Sequence, residues 1–231
     1  MDKNIKNILT LIIALLFTVN ICQAKEIKTS VTDGKGIWIN IWNYPSNPDS
    51  YCKYMKSKGI DTIYLQVFRS NTPAIYSREK LDKVLLAAHK NGVKVVGWGY
   101  VFLKNPIEDA KKFLVAVNYK SKDGESLDGM AADIEEVTNP KVIDTFARYV
   151  RSHVKNDYPM IAITFSPMFK RADPKKYAWK TIANNFDIIA PMTYWHALKD
   201  KQSQKGAYDF TAETVSRIKE YTGKNDIKIH I

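Results

Sequence analysis

Gly129-Met130-Ala131-Ala132-Asp133-Ile134-Glu135 is the stretch whose reading decides the fold. Its first four residues are small or apolar with no polar face. That pattern suits a strand buried on both sides, as in a parallel sheet covered by helices. Two carboxylates then follow at its carboxyl end. Working outward, similar short runs recur at 36–42, 62–68, 93–102, 160–166, 187–195 and 227–231. Helical patterns fill the intervals at 50–58, 78–91, 107–119, 140–156, 174–185 and 211–221. Lys58-Gly59 and Asn91-Gly92 are stop signals, and Asp49 and Thr211 are expected N-caps.

Strands about 32 residues apart, each followed by a helix, call for an α/β (β/α)8 TIM barrel. A doubly wound open sheet is the alternative, but it normally carries a Gly-rich phosphate turn after its first strand. Here that position reads Trp42-Asn43-Tyr44-Pro45. The chain ends at Ile231, inside the seventh strand pattern, so the barrel is expected to be truncated in or after strand seven.

Residues 1–24 read as a signal peptide: Lys3 and Lys6, an apolar run over 8–21, then Ala24 before charged Lys25-Glu26. The run is short for a membrane span. The expectation is an exported protein, secreted or in the periplasm or cell envelope, not stably inserted in a membrane after cleavage. Residues 25–231 form one barrel domain.

The 231 residues carry a net charge of +11, and signal removal lowers it by one. The basic residues are spread along helix patterns (Lys53, Lys56, Lys58; Lys80, Lys83; Lys111, Lys112) without interleaved aromatics, which argues against nucleic acid. An anionic cell-wall polymer or glycan fits the charge better. Cys52 lies in a helical pattern and reads as a buried apolar residue. His89, His153, His196 and His230 are scattered, so the sequence points to no metal or cofactor. It leaves the oligomeric state open.

Barrel chemistry sits at the carboxyl ends of the strands. Asp133 and Glu135, two apart, would point to the same side of a strand. Like charges brought together raise one pKa and make a proton donor available near neutral pH. Glu136 would face away. The other strand ends offer Trp42, Gln66, Arg69, Trp98, Tyr100, Met192, Tyr194, Trp195 and His196. Aromatic faces, amides and carboxylates together suit a sugar polymer. Several of these also have a plainer reading: the tryptophans as core, Gln66 as a core polar group bonded to Asn40, His196 as structural, and Arg69 either pairing with a carboxylate or binding an anionic substrate.

Asp128-Gly129-Met130-Ala131-Ala132-Asp133-Ile134-Glu135 resembles the strand-four signature D-G-x-D-x-D-x-E of family 18 glycoside hydrolases, the chitinases and their relatives. Ala190-Pro191-Met192-Thr193-Tyr194 resembles that clan's M-x-Y-D motif on strand six. The resemblance implies Glu135 as general acid, Asp133 orienting the substrate's N-acetyl group, and Tyr194 hydrogen-bonding that group. Ala131 replaces the family's middle Asp, and Trp195 the Asp after Tyr. The expected function is a secreted glycoside hydrolase acting on a polysaccharide or cell-wall glycan. The alternative is an inactive glycan-binding or cell-wall-associated barrel.

Overall fold

Burial on both faces explains why the apolar runs become neighbouring strands. The computed structural model describes residues 29–169 and 176–231, and the signal-peptide reading falls outside them. The strands are β1 (Lys35–Ile39), β2 (Ile60–Arg69), β3 (Lys94–Tyr100), β4 (Gly129–Asp133), β5 (Met160–Phe165), β6 (Ile188–Met192) and β7 (Lys228–Ile229). Every neighbouring pair is parallel, and the order along the sheet is β1 to β7 without a reversal. A doubly wound sheet would reverse direction at a switch point. This sheet instead curls as a TIM-type barrel does. Its two ends come together through Lys228 on β7, whose Nζ lies 2.6 Å from Asp33 Oδ1 just before β1. The His230 ring sits 5.2 Å from that of Tyr64 on β2.

Between the strands lie α1 (Pro48–Ser57), α2 (Arg78–Lys90), α3 (Pro106–Val117), α4 (Pro140–Arg151), α5 (Trp179–Asn185) and α6 (Gln204–Thr222). Three of them begin with the same chemistry. Asn47, Asn105 and Asn139 each accept a backbone N–H of the first turn, and proline follows at N1. The side chain satisfies an orphan donor while proline's fixed φ starts the helix. The expected caps Asp49 and Thr211 therefore lie inside helices, and the last helix, capped by Ser203, begins at Gln204, seven residues before the expected start. Gly59 and Gly92 close α1 and α2 at positive φ (75° and 66°). The 174–185 pattern begins outside the described residues, and its helix runs from Trp179.

Alternation along each strand divides the core. Ile63, Leu65, Val95, Met130 and Ala132 face the helix layer and pack with Leu81, Leu85, Phe113 and Phe146. Tyr64, Val96, Ala131, Ile161, Ile163, Ile188 and Ala190 fill the inside of the curl, with Trp98 and Met192 packed against them. Cys52 is fully buried in the outer layer. Among the described residues, no helix is long and apolar enough to cross a membrane.

Carboxylates stitch the amino-terminal face of the sheet. Asp61, Asp128 and Asp187 each accept the backbone N–H of a residue near the start of a neighbouring strand: Lys35, Val95 and Met160. Each also meets a cation carried by a helix: Lys56, His89 and Arg151. His89 is held from both sides, Nδ1 by Glu125 and Nε2 by Asp128. Those two carboxylates push its imidazole up to about 9 against the opposing effect of burial. Asp128, the first residue of the quoted motif, thus belongs to the structural end of the barrel.

Candidate functional site

Parallel register lines up one inward-facing residue per strand. At the carboxyl end, Arg69 pairs with Tyr100, Tyr100 with Asp133, Asp133 with Ile163, and Ile163 with Ala190. The layer beneath runs Gln66, Trp98, Ala131, Ile161 and Ile188. A cavity of about 380 Å³ opens over these layers, lined by Trp38, Trp98, Asp133, Glu135, Met192, Tyr194 and His230 among others.

Asp133 is the last residue of β4 and only 7% exposed. Burial, and then the charge of Glu135, push its carboxyl up to about 7, while the Glu135 N–H and the Arg69 charge act the other way. The strand was expected to continue through Glu135, but it stops at Asp133 and Glu135 stands in a turn. Other bonds fix that turn. Ile134 N–H donates to Ile163 O at 3.1 Å, and Ile134 O accepts the buried Tyr177 hydroxyl at 2.9 Å. Glu135 consequently lines the same cavity as Asp133 without sharing its strand.

The cavity floor is aromatic. Trp38 stacks on Tyr64 with ring centroids 4.1 Å apart and meets Trp98 edge-on at 6.0 Å. The Trp98 indole N–H donates to Tyr64 O at 3.2 Å, which fixes the ring. Ala131 is the register partner of Trp98 and packs in the same inner cluster. A small side chain at 131 leaves room for this indole beneath Asp133.

The structure brings Asp133, Glu135, Trp98, Met192 and Tyr194 to one cavity. Tyr194 is 62% exposed at the rim, and burial together with the charges of Glu135 and Asp133 raises its phenol. Trp42, Gln66, Arg69, Tyr100, Trp195 and His196 do not line that cavity. Gln66 is buried, and its Oε1 accepts the Ile41 N–H at 3.1 Å, pinning the loop after β1. Trp195 and His196 lie in a 3-10 turn beyond β6, their rings edge to face. Glu136 is exposed and hydrogen-bonds the Tyr100 hydroxyl, which burial and this bond raise to about 12. The reading of site residues missed Trp38, Thr193 and His230, all of which line the cavity. Burial and nearby Lys228 push the His230 imidazole below its usual value. Alternation in Ile227-Lys228-Ile229-His230-Ile231 was the available signal for His230 pointing inward.

Arg69 stands beside the cavity, as the last residue of β2 and the register partner of Tyr100. Its guanidinium lies 4.6 Å from the Tyr100 ring centroid, 5.7 Å from that of Trp42 and 5.9 Å from that of Phe102. Such cation–π contacts orient the planar group at a modest gain each.

Among solved structures, the chain is similar to the spore cortex-lytic enzyme SleL of Bacillus cereus. The TM-score is 0.63 at 11% identity, over 85% of this chain and 49% of that one. Cel5A of Thermotoga maritima, solved in complex with mannotriose, matches with a TM-score of 0.53 at 17% identity, over 88% of this chain and 79% of that one. The modular autolysin LytC of Streptococcus pneumoniae gives 0.50 at 13% identity, over 68% and 38%. The chain spans about half the length of SleL and less of LytC. At such identities the likeness is one of fold. No family model matches the chain, and no curated protein matches it either.

Proposed function

We propose that this protein is an exported glycan-acting hydrolase of the family 18 type, with Glu135 as general acid. One observation carries the reading. Two carboxylates at the end of β4 share a cavity whose floor is a pair of tryptophans, at the end of the barrel where chemistry is built. Indole faces stack on sugar C–H surfaces, and the carboxyl groups serve the scissile bond. In this reading Glu135 donates its proton to the glycosidic oxygen, and the leaving sugar departs with that hydrogen. The carbonyl oxygen of the substrate's own acetamido group attacks C1, so no second carboxylate nucleophile is needed. Asp133, ionised once the pH passes its raised value of about 7, accepts the acetamido N–H, turning the carbonyl oxygen toward C1. The Tyr194 hydroxyl donates to the same acetamido group. Water then adds at C1 as the bond from C1 to the acetamido oxygen breaks, and it gives a proton back to Glu135.

SleL is a cortex-lytic enzyme and LytC an autolysin, which agrees with action on a cell-wall glycan. Hydrolysis of chitin, peptidoglycan and neutral glycans by the native chain and Glu135→Gln tests the proposal. Turnover abolished by that change supports it. Turnover retained in Glu135→Gln overturns the assigned role. The Ala131 replacement favours a second reading, a glycan-binding barrel without turnover. Binding of the same glycans with no release of sugar by the native chain would establish that instead.

A further inference from the structure

Arg69 is a cation prepared for a partner that the protein does not supply. It is only partly exposed, and it forms no ion pair with a carboxylate among the described residues. Half-buried charges are ordinarily paired, because removing them from water costs free energy that a counter-charge offsets. Aromatic rings at or just beyond the ends of β1 and β3 neighbour the guanidinium instead. Its backbone is fixed as well. Arg69 N–H donates to Thr72 Oγ1 at 2.8 Å, and the next residue, Ser70, donates its N–H to Tyr100 O and accepts the Phe102 N–H.

A second cation supports the same loop. Lys112 Nζ donates to the carbonyls of Ser70 and Thr72, and it too lacks an ion pair among the described residues. The carboxyl end of β2, beside the cavity, is therefore positive and held in place. The β4 side carries Asp133, Glu135 and Glu136. Register places Arg69 one strand from Tyr100 and two from Asp133, and its charge is felt at the Asp133 carboxyl. A sugar lying over the Trp98 floor would extend a neighbouring unit toward the guanidinium.

We propose that Arg69 reads a carboxylate on the substrate, making the glycan of the β4 site an acidic one built from carboxylate-bearing sugars. The planar fork matches a carboxylate with two parallel N–H···O bonds, which a lysine cannot reproduce. Tyr100 and Trp42 hold the fork and present apolar faces beside it. The carboxylate can be a ring carboxylate, as in a uronic acid, or one carried on an ether-linked lactyl arm. This proposal rests on the reading of the cavity as a glycan site.

The test is calorimetric binding to the full chain carrying Glu135→Gln, so that bound oligosaccharide persists. Four probes are used: a uronic-acid oligomer, a lactyl-bearing oligomer, and each of these with its carboxyl groups reduced to alcohols. Either acidic probe should bind about tenfold more tightly than its reduced form. The preferred acid names the carboxylate source. Raising salt should shrink the ratio. Arg69→Gln and Arg69→Lys, each checked for an unchanged melting transition, should bring the ratio toward one, with Lys retaining part of the salt-sensitive preference. Equal binding of acidic and reduced probes overturns the acidic-substrate inference and leaves the glycan-site reading standing. Acid preference unchanged in both Arg69 variants overturns the assignment to Arg69. No binding of any probe, together with no turnover in the native chain, overturns both readings.

Discussion

Raising the pH from 6 to 8.5 should loosen the amino-terminal face of the barrel through one side chain, His89. Its imidazole bridges Glu125 and Asp128 and is held up to about 9, against about 6.5 when free. A group bound more tightly to its proton in the folded state stabilises fully below its unfolded value. That contribution fades as pH rises through its folded value. At about 1.4 kcal/mol per tenfold difference in proton affinity, the two values correspond to about 3 kcal/mol at acid pH. About a third of each carboxylate side chain is open to solvent, which screens the pair and lowers the realised figure to about 2 kcal/mol. Most of that loss falls between pH 6 and 8.5, before the buried Cys52 thiol, raised to about 11, would enter the balance. Urea unfolding of the native chain and His89→Gln at both pH values isolates the effect, because every other titrating group is common to the two. The native advantage should be about 1.5 kcal/mol larger at pH 6 than at pH 8.5. An advantage that stays constant across the window would refute the argument.

Other outcomes follow from single contacts. Asp133→Asn should stabilise the fold by about 2 to 4 kcal/mol at pH 8 while reducing glycan turnover, because the ionised native carboxyl is buried and only partly compensated; denaturant midpoints at pH 8 and at pH 4, where the gain should vanish, check it. Gly99→Ala should destabilise by about 1 to 3 kcal/mol, since a Cβ there would lie 2.3 Å from the fully buried Phe68 ring; thermal melting would show it, and an unchanged transition would mean the ring can yield. Arg151→Met should cost about 3 kcal/mol, because it removes the guanidinium 2.7 Å from an Asp187 carboxylate that is largely enclosed; Asp187→Asn in the same background should recover part of the loss in urea titrations.

The barrel was legible because two-sided burial writes itself as short apolar runs, and seven of them became seven strands within a few residues. Errors gathered where side chains override periodicity. Asp49 reads as a cap by residue type, yet Asn47-Pro48 takes the helix start because asparagine's amide oxygen reaches the first-turn N–H and proline needs no donor. The last helix was expected from 211, but Ser203 caps a helix of 19 residues that begins inside the polar segment before it. The site was half legible. Asp133, Glu135, Trp98, Met192 and Tyr194 stand at their own strand ends, so local position finds them. Trp38 and His230 meet the cavity only because β7 curls back against β1 and β2, a contact between residues nearly two hundred apart. Nothing local records such a closure.

The eight residues from Asp128 to Glu135 carry two opposed tasks on one strand. Five steps of extended chain, about 17 Å, separate Asp128 from Asp133. At the lower end a carboxylate meets a protonated imidazole and adds stability. At the upper end a carboxyl is buried beside another and subtracts it. Both groups nevertheless bind their protons more tightly when folded, so both favour the folded state at mildly acid pH. Asp133 gives up its contribution between about pH 4 and 7, and His89 between about 6.5 and 9. The two windows meet near neutrality and make one continuous decline in stability from mild acid to mild base. At this separation, with no partner in common, the two effects should add. Asp133→Asn should therefore erase the lower half of the decline, His89→Gln the upper half, and the double variant should unfold with little pH dependence between 5 and 8.5. A double variant that kept the native slope would place the pH sensitivity elsewhere in the barrel.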